Sequence, residues 1–381
     1  MDRIKIINDI ASKTLGYKVD FSKRKEILES KRLPTGLVEL DRDLCGGYPE
    51  SHVIVLGGPE ETNKTTLSLK GVASAQKKYP DKIVLYCDME NHLDLYMAEE
   101  HGVDTSEEKF MVIYAPTATE LIDMLFNILD EMPGQVSAIV IDSIPAMTDP
   151  KKVDAKTSAE DVVIAGTAKS TTRLFEVLES YSRKCKLQNC YFPTVFALTQ
   201  ARANLNMVNK YDSIFILSGG YKLKHVSYLT LITGKKKDEE IKGEGIIKKT
   251  FKITMQKGKL GTAANKVTEY QMWVTNKYGF RKGAIDDMKV LVGYARDLNL
   301  VEGLRKNLKL VNIPVEGIEK QTFNTQGDLE IFLSHNEEIA NLLKAIITIK
   351  HRKDIGKPAL NESEPYFMYS NFGEDVLSAF A

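Results

Sequence analysis

The segment from His52 to Thr66 constrains this chain more than any other. His52-Val53-Ile54-Val55-Leu56 is an apolar run of strand length, Gly58-Pro59 breaks it, and Lys64-Thr65-Thr66 opens a stretch of helical pattern. A buried strand that turns directly into a helix belongs to an open α/β sheet, because the helix covers a sheet face that must not meet water. The same turn leaves the first N–H groups of the helix without intrahelical acceptors, and such donors suit an anion. Gly58, Pro59, Glu60, Glu61, Thr62, Asn63, Lys64, Thr65 and Thr66 therefore form a candidate phosphate-binding loop. In such a loop Lys64 would reach the β- and γ-phosphates of a nucleoside triphosphate, and the Thr65 hydroxyl would ligate magnesium. Asn63 stands where such loops usually carry glycine. That place calls for a left-handed backbone, which asparagine tolerates best among the other residues.

The pattern repeats along the chain. Lys82–Cys87, Phe110–Tyr114 and Ser137–Ile141 are further apolar runs, with a helix over Thr119–Met132 and a longer one near 164–185. Asp142 ends one of the strands and would hold a magnesium-bound water at the carboxyl end of the sheet. Pro193–Leu198, Ser213–Leu217, Ser227–Ile232, Thr250–Met255 and Tyr270–Thr275 follow with turns between, which predicts antiparallel strands added to a mostly parallel sheet. Ile6, Ile7 and Ile10 predict a short N-terminal helix. The expected organisation is an N-terminal helix and linker over 1–33, an ATPase core over 34–285, and a smaller C-terminal domain over 286–381. That last part ends in an acidic-aromatic tail holding Tyr366, Phe367, Tyr369 and Phe372.

Composition narrows the class. No run of eighteen apolar residues appears, so no membrane span is expected, and Met1–Asp9 lacks the apolar block of a secretory signal. The four cysteines form no CxxC pair and the six histidines no HExxH pattern, which argues against a zinc ribbon or disulfide framework and for a reducing cytoplasm. Lys+Arg and Asp+Glu both number 52. Yet between Lys222 and Lys266 there are twelve lysines against four acids, a local excess of the kind a nucleic-acid backbone attracts. The block Lys235–Lys237 beside Asp238-Glu239-Glu240 reads as solvated hairpin surface, so Arg202, Lys222 and Lys224 are the stronger candidates for DNA contact.

Leu33-Pro34-Thr35-Gly36 through Asp41, then Leu44-Cys45-Gly46-Gly47, resembles the lead-in of RecA-type ATPases. Gly58-Pro59-Glu60 with Lys64-Thr65-Thr66-Leu67 is similar to the loop of that family. Asp88-Met89-Glu90-Asn91-His92-Leu93-Asp94 resembles its segment with the catalytic glutamate, which implies that role for Glu90. Thr199-Gln200-Ala201-Arg202 resembles the motif whose glutamine senses the γ-phosphate. The likeness also implies a first DNA-binding loop around 149–166 and a second around 203–221. Met255-Gln256-Lys257-Gly258-Lys259 resembles the lysine pair that reaches a neighbouring protomer's ATP, which gives Lys257 and Lys259 a role in trans. Asp94 and Tyr96 fall near the family's adenine contacts, with Tyr96 offset by one residue. The resemblance covers about 33–283 and is closest to phage strand-exchange proteins of UvsX type.

It implies an ATP- and magnesium-dependent recombinase, bacterial or virus-encoded, forming helical filaments on single-stranded DNA and pairing them with double-stranded DNA. A single-strand-binding protein and a loader are expected partners. The rivals are a hexameric helicase on the same core and a mediator that binds ATP and DNA but turns over poorly. Asn63 keeps the last alternative open.

Overall fold

The computed structural model describes residues 3–19, 31–147, 159–204, 214–241, 245–259, 265–276, 282–313, 315 and 317–354. The tail, residues 149–158 of the first expected DNA loop and residues 205–213 of the second lie outside these ranges.

Helix α1 spans Arg3–Leu15. The short strands β1 (Arg32–Leu33) and β2 (Tyr48–Pro49) pair around helix α2 (Val38–Asp43). Then come β3 (Val53–Gly57), α3 (Lys64–Lys78), β4 (Ile83–Asp88), α4 (Leu95–Glu100), β5 (Phe110–Ile113), α5 (Ala118–Glu131) and β6 (Val136–Asp142). A long helix α6 (Ala159–Gln188) leads to β7 (Thr194–Thr199), the small strands β8 (Ala201–Ala203) and β9 (Phe215–Leu217), and α7 (Gly220–Val226). The strands β10 (Leu229–Ile241), β11 (Gly245–Gly258), β12 (Val267–Trp273) and β13 (Ile285–Asp286) follow. Helix α8 (Met288–Asp297), strands β14 (Val301–Glu302) and β15 (Lys309–Leu310), and helices α9 (Gln326–His335) and α10 (Glu337–Asp354) complete the order.

The main sheet has the order β13-β12-β11-β10-β3-β7-β6-β4-β5. From β10 to β5 every neighbouring pair is parallel, whereas β12 and β13 pair antiparallel. This is the α/β class expected from the alternating apolar runs, with a mixed edge. Strands β10 and β11 are longer than the apolar runs announce. Lys235 to Glu240, expected as solvated hairpin surface, lie on β10 with side chains in water, and Lys236 pairs with Glu269 at 2.6 Å.

Two compact units are distinguishable. The first comprises 1–31, 49–234 and 253–267. Here β3, β6 and β7 are buried almost throughout, and side-chain alternation assigns their residues to two faces. Val53, Val55, Ile139, Ile141, Val195 and Ala197 pack with Leu121, Leu125, Leu174, Phe175 and Leu178 of α5 and α6. Phe196 points to the other face, where α3 approaches so closely that a Cβ on Gly71 would lie 2.4 Å from its ring. The second unit comprises 32–48, 235–252 and 268–381. Its core joins Val38 with Leu291, Val292, Leu329, Leu333, Leu343 and Ile346, and the Val38 N–H donates to Asp287 Oδ2 at 3.1 Å. Thr325 and Asp328 close a reciprocal cap at the start of α9, satisfying two of its donors. Among the described residues no helix is long and apolar enough to cross a membrane.

Gly71→Ala is expected to lower unfolding free energy by about 1–3 kcal/mol, because a packed core accommodates added volume only by strain. Urea denaturation checks this; an unshifted midpoint would mean that Phe196 has room to move.

Candidate nucleotide site

The loop after β3 is pinned by its neighbours. Gly58 donates its N–H to the Thr199 carbonyl at 3.2 Å and accepts from the Ala201 N–H at 3.3 Å. A Cβ at Gly58 would sit 2.3 Å from the Thr233 hydroxyl and 2.7 Å from that of Thr62, so no side chain fits. Thr62 in turn donates to the Pro59 carbonyl and shares a hydrogen bond with Thr233, each at 2.7 Å. Glu61 and Asn63 both have positive φ, 54° and 67°. Asn63 is the N-cap of α3, with φ and ψ of 67° and 26°, and contributes no side-chain cap. The expected left-handed backbone is therefore present at the asparagine. Pro59, Glu60 and Glu61 are exposed, Thr62 and Thr66 buried.

Lys64 folds back on this loop, donating to the carbonyls of Pro59 (2.6 Å) and Gly58 (3.2 Å). Partial burial lowers the pKa of its ammonium, against the opposing pull of Asp142, Glu90 and Glu60. The Thr65 hydroxyl donates to Asp142 Oδ2 at 3.3 Å, which brings the two expected magnesium ligands into contact. Both are hard oxygen donors, as magnesium prefers. The Asp142 carboxyl is raised above its ordinary pKa, first by burial and further by Glu90, while hydrogen bonds from Tyr86 and Thr65 pull it down.

Glu90 is set beside them by the turn after β4. Asp88 Oδ1 accepts from the N–H groups of Glu90 (3.2 Å) and His92 (3.3 Å), and Oδ2 from that of Leu93 (3.0 Å). The left-handed Asn91 completes the turn. The Ser143 hydroxyl donates to Glu90 Oε1, and His92 lies 3.6 Å from Oε2. Asp94, expected at the adenine, caps α4, accepting from the N–H of Tyr96 at 2.9 Å and of Met97 at 3.5 Å. Tyr96 is 70% exposed.

Gln200 and Arg202 are brought to the loop's edge. A cavity of about 690 Å3 is lined by Pro59, Glu60, Gln200, Arg202, Gly219 and Gly220, among others. Arg202 lies on β8, whose pairing with β9 places it opposite Ile216. The expected lysines are less uniform. Lys222 is paired with Glu179 of α6 at 2.6 Å, while Lys224, two residues on and therefore on another side of α7, is exposed. Lys257 does not reach its own phosphate loop: it donates to the carbonyls of Lys224 (2.6 Å) and His225 (3.3 Å) at the end of α7. Burial lowers its pKa, with Lys259 and Lys224 adding to the effect. Lys259 is exposed, with its ammonium 5.9 Å from the Tyr228 ring centre.

Residues 11–276 match the family model of the RecA N-terminal domain. The chain belongs to the RecA family. It is similar to protein RecA of Mesoplasma florum, at 26% identity over 257 residues, 68% of this chain and 70% of that protein. Against protein RecA of Phytoplasma mali the identity is 28% over 324 residues, 84% and 86% of the two chains. With protein RecA of Helicobacter pylori it reaches 34%, over 131 residues that make up 34% and 36%.

Three residues of this RecA-family site were not singled out from sequence: Thr233, Ser143 and Tyr86. Tyr86 is buried on β4, and its hydroxyl donates to Asp142 Oδ2 at 2.5 Å. Burial and the neighbouring carboxylate raise the tyrosine's pKa, so it remains a donor. A tyrosine two residues before a strand-end aspartate was the available signal, though alone it reads as core.

Tyr86→Phe removes this donor and keeps the ring. A hydrogen bond to a charged group contributes about 1.5–3 kcal/mol, and the variant is expected to lose about that much stability at neutral pH. Guanidinium denaturation measures it; a wild-type midpoint would mean that Asp142 gains nothing from the phenol.

Proposed function

We propose that this chain is a DNA-dependent ATPase that forms filaments on single-stranded DNA and promotes homologous pairing and strand exchange with double-stranded DNA. The observation that carries this reading is the meeting of Lys64, Thr65, Asp142 and Glu90 at the carboxyl ends of β3, β4 and β6. Family membership supports the recombination and repair context.

In this reading the N–H groups of the glycine-led loop and the start of α3 bind the phosphates of ATP, and Lys64 leaves its loop carbonyls to neutralise them. Thr65 and Asp142 would hold magnesium, which would supply charge neutralisation. Glu90, steadied by Ser143 and by the turn on Asp88, orients the attacking water and accepts its proton. Gln200, at the border between loop and cavity, reports the terminal phosphate to the segment around 203–221. Arg202, Lys222 and Lys224 contact the DNA backbone, Lys222 by exchanging Glu179 for a phosphate. Lys257 and Lys259 act on the ATP of a neighbouring protomer, as an arginine finger does. Asp94 and Tyr96 border the adenine, and Asn63 supports kinship with the UvsX-type phage proteins. The setting we assign is the cytoplasm of a bacterium or its virus, with a single-strand-binding protein and a loader as partners.

Glu90→Gln keeps the shape and removes the base, so ATP turnover should fall about a hundredfold or more while nucleotide and DNA binding persist. Steady-state ATPase assays with single-stranded DNA decide it, and full activity in the variant would remove Glu90 from the mechanism. Electron microscopy with an ATP analogue and single strands should show open helical filaments; closed six-membered rings would favour a helicase.

A further inference from the structure

Four cysteines are present, and two of them meet at a place the ATPase reading does not use. Helix α6 ends at Gln188, and Asn189 follows in the left-handed region with φ of 56°. The Cys190 N–H then donates to the Cys185 carbonyl at 2.9 Å. This is the six-to-one hydrogen bond of a Schellman ending, a geometry that packs the side chain of the residue after the left-handed one against the residue five before it. Apolar residues commonly make that contact. Here both are thiols, brought together by that backbone bond.

The two are not equivalent. Cys185 is 1% exposed and belongs to the core cluster that also holds Tyr181 and Phe192. Its Sγ also lies 3.7 Å from the Tyr191 carbonyl. Cys190 is half-buried. The neighbouring Cys185, with Lys184 and Lys82, lowers the Cys190 pKa, whereas Cys190 and burial raise that of Cys185. A half-buried thiol set beside a second, buried thiol is the arrangement of a dithiol that can close. The other two cysteines, Cys45 and Cys87, are fully buried, and burial alone pushes Cys87 up to about 12.

We propose that Cys190 and Cys185 form a redox-convertible dithiol site whose substrates are small disulfides. The Cys190 thiolate attacks one sulfur of the reagent, forming a mixed disulfide and releasing one thiolate, which takes up a proton. Cys185 gives up its proton and attacks Cys190 Sγ, closing the intramolecular bond and expelling the second thiolate. The protein is oxidised by two electrons and the reagent is reduced to two thiols. The site lies at the amino ends of the strands, where Tyr191 donates to the Ser137 carbonyl at 3.4 Å, whereas Asp142 and the phosphate loop are at the carboxyl ends. It is thus separate from the nucleotide site and does not depend on the proposed ATPase chemistry.

The test treats the full chain with oxidised glutathione at neutral pH, followed by alkylation without reduction, intact mass measurement and peptide mapping. The expected product has lost the mass of two hydrogens and joins the peptides of Cys185 and Cys190. Cys185→Ser should stop at one glutathione on Cys190, and Cys190→Ser should remain unmodified. Wild-type protein that stays reduced, retains glutathione on Cys190, or bridges other cysteines would overturn the proposal. Pulsed iodoacetamide labelling of the native chain gives an independent check: Cys190 should be alkylated first, and labelling of Cys45 or Cys87 ahead of it would also overturn the assignment.

Discussion

The structure of the nucleotide site depends on how closely backbone passes backbone at Gly58. Its N–H and carbonyl bond to the residues on either side of Gln200, while the Thr233 hydroxyl stands where any side chain would begin. The carboxyl ends of β7 and β3 are thereby held together with the middle of β10. Six residues, Gly58 to Asn63, then turn the chain from β3 into α3. The two left-handed residues, Glu61 and Asn63, are the local cost of that turn, and burial of Thr62 against Thr233 helps to offset it.

A second constraint is electrostatic. Asp88, Glu90 and Asp142 come within reach of one another because parallel strands β4 and β6 end level, with Asp88 in register with Asp142. Three carboxylates in one partly buried place repel, and each is met by a different donor set. Asp88 takes backbone N–H groups, Glu90 the Ser143 hydroxyl, and Asp142 the hydroxyls of Tyr86 and Thr65. Lys64 supplies the nearby positive charge. Such an arrangement favours a cation or a polyphosphate carrying one, which is the physical link between this fold and the chemistry proposed for it.

The lysine-rich region shows why charge counting alone is a weak guide. Twelve lysines look like one surface in sequence, yet the fold separates them. Lys236 pairs with Glu269, Lys248 pairs with Asp286 at 2.5 Å and lies over the Trp273 ring, Lys222 pairs with Glu179, and Lys257 caps the end of α7. A lysine near a helix end or a carboxylate has a local occupation that a ligand must displace.

Sequence by itself determined the alternation of buried strands and covering helices, because near-continuous apolar runs such as Val53–Leu56 and Ala138–Ile141 have no other way to escape water. It also located the strand-to-helix turn and the conformation of Asn63, since both follow from short-range sterics. The tertiary structure alone decided which distant residues meet. Strands β10 and β11 extend through charged residues because pairing satisfies their backbone whatever their side chains prefer. Tyr86 bonds to Asp142 across 56 positions and Thr62 to Thr233 across 171. Partners this far apart leave no spacing signature in a single chain, for their proximity is set by strand order and register.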